Sequence, residues 1–122
     1  MNILKLLHDC VRDVMLDVED NLKDGDSISS DDIYNRLNKY AQEDVDYTCK
    51  KLSEANYLNI IPCITGEILV TGISYSGHQF LDTIRDSNIW RETKSTVSKL
   101  ASVSLPIIQQ VASQLINHKL GI

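Results

Sequence analysis

Apolar positions recur at helical spacing from the start of the chain. Leu4, Leu7, Val11, Val14, Met15, Val18 and Leu22 lie three and four residues apart with acids opposite, which predicts a helix from about Ile3 or His8 to Leu22. Lys23-Asp24-Gly25-Asp26 breaks it. Ile28 stands as an isolated apolar residue before Ser29 and Ser30, either of which can cap a second helix running through Lys39 with Ile33 and Leu37 inward. After the short connection Tyr40-Ala41, a third helix from about Glu43 to Ala55 places Val45, Cys49 and Leu52 on its buried face. Asn56 then falls where a left-handed cap residue is expected.

Beyond that point the period changes. Leu58–Ile64 and Glu67–Ile73 are rich in β-branched residues and flank Thr65-Gly66, which predicts a hairpin. Pro62 cannot donate to a ladder and belongs on an edge or at a bulge. Ser74 is placed to cap a fourth helix to about Arg85, and Asp86 or Ser87 a fifth through about Lys99. Pro106 opens a sixth that ends near Gly121. Three helices, a hairpin and a further helix follow the order of a winged helix, whose second and third helices form the helix-turn-helix pair. The expected fold is therefore mainly α with a small β-hairpin wing: a winged helix-turn-helix with two extra C-terminal helices. Its domains are residues 1–86, the winged-helix domain, and 87–122, a helical extension that packs on it to give a single compact domain.

A length of 122 residues suits one domain. With 43% apolar and 24% charged residues the chain has enough apolar surface to build a core and is not expected to be disordered. Charge changes the picture more. The net charge is −5, and residues 1–57 hold seven Lys/Arg against thirteen Asp/Glu. That imbalance disfavours a generally basic nucleic-acid or lipid binder. Cys10, Cys49 and Cys63 form no C-x-x-C pair, and an odd count at wide spacing suits reduced thiols in a cytoplasmic protein. The N-terminal apolar run meets Asp9 too soon for a signal peptide. The uncharged stretch from Leu100 to Asn117 is too polar for a membrane span, so no membrane association is expected.

Gly77-His78-Gln79-Phe80-Leu81-Asp82, followed by Trp90, resembles a block found in a family of small proteins from phages and prophages of Gram-positive bacteria, a domain of unknown function. His8-Asp9-Cys10-Val11-Arg12-Asp13 and Ser102-Val103-Ser104-Leu105 share the resemblance, which spans nearly the whole chain. It implies a small winged-helix protein of a mobile element in a bacterial cytoplasm, and carries over no catalytic residue.

Candidate chemistry is sparse. Ser76, His78 and Asp82 can share a helix face, but spacing alone does not establish a nucleophile, base and orienter around a pocket. The plainer reading is a local surface pair between His78 and Asp82, with Gly77 permitting close approach of strand and helix. His8, Asp9 and Cys10 diverge by about 100° per residue and cannot converge on one metal ion. The glycines are spaced as turn and cap residues, not as a phosphate loop. No enzyme activity, cofactor or metal is expected. Trp90 reads as a packing residue between the fifth helix and the one before it.

The half of the third helix that would meet DNA begins Gln42-Glu43-Asp44-Val45-Asp46, three acids and no base. Phosphate contacts come mainly from Lys and Arg. The preferred expectation is therefore a non-enzymatic module that binds a host or phage protein, for example a defence or replication component, through Asp31, Asp32, Glu43, Asp44 and Asp46. The alternative is a homodimeric transcription regulator using Arg36, Lys39, Lys50 and Lys51 on phosphates. A dimer seam is expected on the sixth helix from Leu105, Ile108, Ala112 and Leu115, with Val111 and Ile116 adding apolar surface on an adjoining face.

Overall fold

The computed structural model describes residues 5–100 and 103–121. Ile3 and Leu4, the earlier start expected for the first helix, lie outside the described residues. The order of elements is α1 (His8–Asn21), β1 (Ile28–Ser29), α2 (Ser30–Arg36), α3 (Gln42–Glu54), β2 (Leu58–Pro62), β3 (Ile68–Ile73), α4 (Tyr75–Ile84), α5 (Ser87–Val97) and α6 (Leu105–Leu120). The fold is thus mixed α and β, with six helices and one three-stranded antiparallel sheet among the described residues. Contacts gather into two units, one ending at His78 and one starting at Gln79, and the division falls within α4.

In the first unit, α1 turns Cys10, Val11, Val14, Met15 and Val18 inward and packs on α3, which buries Val45, Cys49 and Leu52. Each fully buried aliphatic side chain contributes about 1.5–3 kcal/mol. The same face of α1 buries a charge. Asp17 accepts both fork hydrogen bonds of Arg36, Nε at 2.7 Å and Nη2 at 2.9 Å, so α1 and α2 are clamped by a bidentate ion pair.

The sheet has the order β1-β3-β2. Pro62 lies on the edge strand β2, as its missing N–H requires, while the register irregularity sits instead between Asn59 and Ile60. Ile28 does not stand alone. Ile28 and Ser29 form β1, pairing with Val70 and Leu69 of β3. Ser29 then caps α2 by accepting from the Asp32 N–H at 3.1 Å, and buried Ser30 accepts from the Ile68 N–H at 3.1 Å, which ties α2 to β3. Adjacent serines therefore serve two different elements.

Helix α2 ends at Arg36, three residues before the expected Lys39. Leu37 leaves the helical region at φ −113°, ψ 42°, and residues 38–40 turn. That turn delivers Tyr40 and Lys39 to one carboxylate on α1. The Tyr40 hydroxyl donates to Asp13 Oδ2 at 2.6 Å, and Lys39 Nζ lies 3.2 Å from the same oxygen. Tertiary hydrogen bonds outweigh one further helical turn.

Asn56 takes the left-handed conformation at φ 65°, as its position after α3 predicts. Ser74 closes the opposite side of this junction. Its hydroxyl donates to the Asn56 carbonyl and accepts from the Gly77 N–H at 2.9 Å, and its own N–H donates to the Tyr57 carbonyl. A Cβ on Gly77 would stand 2.2 Å from the Tyr57 carbonyl oxygen and 2.8 Å from Ile73 Cγ2. Glycine at this strand-to-helix junction is a steric requirement.

In the second unit, α5 and α6 pack together. Helix α5 buries Ile89, Trp90, Thr93 and Val97, and α6 buries Leu105, Ile108 and Ala112. Asp86 caps α5 by accepting from the Asn88 and Ile89 N–H groups, both at 2.9 Å. Gly121, in the left-handed region at φ 74°, ends α6. Among the described residues no helix is long and apolar enough to cross a membrane.

Candidate functional site

Where the starts of α2 and α3 approach the β2–β3 turn, an open cleft of about 420 Å³ is lined by Asp31, Gln42, Asp46, Thr65, Gly66 and Glu67. Three carboxylates thus converge from three elements. The Gln42 side-chain amide donates to Asp31 Oδ1 at 2.9 Å and to Asp46 Oδ1 at 3.4 Å, so one neutral group holds two acids at one edge. The turn supplies the opposite edge. Cys63 N–H donates to the Glu67 carbonyl at 2.9 Å and Gly66 N–H to the Cys63 carbonyl at 3.0 Å, with Gly66 at φ 89°. This closes the hairpin and presents Glu67 beside the cleft.

The remaining acids have other tasks. Asp32 and Glu43 are exposed and Asp44 is half-buried, and all three sit in the first turns of α2 or α3. Carboxylates there stabilise the helix dipole by about 0.3–1 kcal/mol each, so their presence needs no ligand. Asp31 shares that role. Asp46 lies beyond the first turn and Glu67 lies just before β3, so neither has a helix terminus to serve.

The cations of the alternative phosphate-binding set are mostly engaged. Arg36 is held by Asp17, Lys39 by Asp13 and Lys51 by Glu54 at 3.1 Å. Lys50 is exposed. Lys39 and Lys51 also lie over the rings of Tyr40 and Tyr47, at 5.2 and 5.3 Å from the centroids. Binding phosphate through this set would compete with these partners.

Comparison with known proteins agrees with the resemblance in the sequence only at its coarser level. A family model described as "Hypothetical protein (DUF2513)" matches residues 5–104. The chain belongs to the DUF2513 family. An uncharacterized protein of Haemophilus influenzae is 28% identical over 117 residues, covering 93% of this chain and 96% of its own length. No solved structure matches.

Other candidates in this DUF2513 chain are dispersed. Asp82 is ion-paired with Arg85 at 2.8 Å, which corrects the expected pair with His78. Arginine three residues on offers a permanent charge and a charge-assisted hydrogen bond to this carboxylate. Ser76 and His78 are exposed. His78 instead borders a smaller cleft of about 220 Å³ with Glu19, Lys23 and Asp24. Among the described residues no three His, Cys, Asp or Glu side chains are arranged to hold a metal ion. Cys10 and Cys49 are buried thiols: burial raises both pKa values, that of Cys49 to about 12, while the Thr48 hydroxyl donates to Cys10 Sγ.

Of the expected dimer seam, Leu105, Ile108 and Ala112 are buried within the chain itself, while Val111, Leu115 and Ile116 are half-buried. Trp90 is buried on α5, and Lys94 lies 6.0 Å from its ring centroid. Glu67 is the cleft carboxylate that the sequence-based set omits, along with the uncharged Gln42, Thr65 and Gly66. Its signal was present, since it is the single charged residue between Leu58 and Ile73, but its meaning depends on the turn lying beside α3.

Proposed function

We propose that this DUF2513 protein is a non-enzymatic winged-helix module of a mobile element that binds a basic surface on a host or phage protein, for example a defence or replication component. The observation that carries the reading is the convergence of Asp31, Asp46 and Glu67 on one open cleft at the face where a winged helix meets its ligand. The order α1-β1-α2-α3-β2-β3, with β1 completing a three-stranded sheet, supports the winged-helix assignment. Carboxylates at that face repel phosphate and attract Lys or Arg, which raises the association rate of a cationic partner and sets its orientation.

Fluorescence anisotropy with labelled heptalysine tests this. Neutralising the cleft with Asp31→Asn, Asp46→Asn and Glu67→Gln should weaken binding by about fivefold or more. A control carrying Asp20→Asn, Asp24→Asn and Asp26→Asn removes the same charge from exposed positions elsewhere and should lose much less. Equal losses would reduce the attraction to net charge and overturn the site.

The second reading is a homodimeric transcription regulator, favoured by the helix-turn-helix order of α2 and α3 and contacting phosphate through Arg36, Lys39, Lys50 and Lys51. Its dimer face on α6 would use the half-buried Val111, Leu115 and Ile116 together with Ile107, which is 40% exposed.

A further inference from the structure

We propose that the tip of the β2–β3 hairpin is an apolar anchor for the same basic protein partner: Ile64 and Ile61 with Leu69 make an apolar contact, while Asp31, Asp46 and Glu67 hold Lys or Arg beside it. The inference rests on the acidic-cleft reading and adds a second determinant to it.

The hairpin closes with Ile64, Thr65 and Gly66 between the bonded residues Cys63 and Glu67, and the left-handed Gly66 completes a turn of the type I plus bulge kind. Ile64 occupies the first central position of that turn. Most residue types are accepted there, so nothing in the turn calls for isoleucine. Its side chain is nonetheless fully exposed, at 108% of the reference area. Ile61 is 53% exposed and stands directly opposite Leu69 in the register, which puts both on the outer face of the sheet. Exposed β-branched residues on an edge strand invite edge-to-edge pairing, and natural edges usually carry charge instead. Here the hairpin from Leu58 to Ile73 carries Glu67 and no Lys or Arg. A contact surface explains that composition better than a solvated wing.

The charge beside the tip selects the occupant. Ile64 adjoins Thr65 and Gly66, which line the acidic cleft. A nucleic acid would set phosphates against three carboxylates. A second copy of this chain, at net charge −5, brings mostly the same sign. A protein segment with Lys or Arg interspersed with large aliphatic side chains satisfies both halves of the surface.

The test compares three labelled peptides by anisotropy: heptalysine, a seven-residue peptide in which lysine and leucine alternate, and one in which lysine and serine alternate. The wild-type protein should bind the alternating peptide about tenfold more tightly than an equal-charge peptide of lysine and serine. A double variant, Ile61→Thr and Ile64→Ser, should abolish that preference and leave heptalysine binding unchanged. Both sites are exposed, threonine keeps the β-branching of the strand, and circular dichroism checks that the fold is retained. A preference that survives the double variant, or no preference in the wild type while heptalysine binds, overturns the anchor and leaves the cleft standing. Failure of every basic peptide to bind overturns both.

Discussion

At the scale of single residues, the junction of β3 and α4 depends on a missing side chain. Gly77 leaves no room for a methyl group between α4 and the Tyr57 carbonyl. Gly77→Ala should therefore destabilise the protein by about 1–3 kcal/mol, read as a lower denaturant midpoint, because backbone must shift to relieve the clash. An unchanged midpoint would mean that the junction is loose. The cysteines make a second prediction. Burial raises the thiols of Cys10 and Cys49, the latter to about 12, while Cys63 is half-buried. At pH 8 one thiol per chain should react quickly with an aromatic disulfide reagent, Cys63→Ser should remove that phase, and the other two should react only on unfolding. The sequence showed that Cys10 and Cys49 lie on apolar faces and that Gly77 sits where strand meets helix. It did not show how close that approach is, since the distance depends on Tyr57, twenty residues away.

At the scale of elements, periodicity located the first three helices and cap residues with Pro106 the last three, and the differences lie where tertiary bonds override these signals. β1 escaped notice because two residues show no alternation and become a strand only by pairing with Val70 and Leu69. α2 stops early because Lys39 and Tyr40 are drawn to Asp13. The clamp between α1 and α2 was illegible for the same reason, since Asp17 and Arg36 are nineteen residues apart. Arg36→Ala should leave the Asp17 carboxylate, 6% exposed, without its main partner. With the Arg36 side chain 39% exposed, water offsets part of the loss, and about 1–3 kcal/mol is expected in a thermal or denaturant melt. Asp17→Asn with Arg36→Ala should recover part of that loss. The start of α1 adds a pH effect. Burial holds His8 below its ordinary 6.5, with Asp9 opposing and Lys5 assisting that shift. The folded state then binds fewer protons than the unfolded chain, so this contribution is present above pH 6.5 and fades as pH falls below it. His8→Gln should flatten that part of the stability profile, measured as denaturant midpoints between pH 5 and pH 7.5. A profile of unchanged slope would remove His8 from the account.

At the scale of the whole molecule, charge and topology act together. The sequence concentrates its acids in the first half and leaves the hairpin nearly uncharged, and both features were visible in one dimension. Which acids share a site was not visible, because Asp31, Asp46 and Glu67 meet only when the hairpin turn is brought beside α2 and α3. Asp32, Glu43 and Asp44 read as equal members of an acidic face in the sequence, yet helix termini already account for them. The phosphate-binding alternative weakens on the same ground, since Arg36, Lys39 and Lys51 are turned toward carboxylates of the chain itself. A protein that recognises basic surfaces through this face should ignore the polyanion that such surfaces often hold. The most direct measurement is the anisotropy of a labelled random-sequence duplex titrated with the protein at low salt. The acidic-cleft account predicts no binding at tens of micromolar, where a protein built for DNA shows at least non-specific affinity. Binding that weakens steeply with added salt would contradict it and make Arg36, Lys39, Lys50 and Lys51 the functional residues.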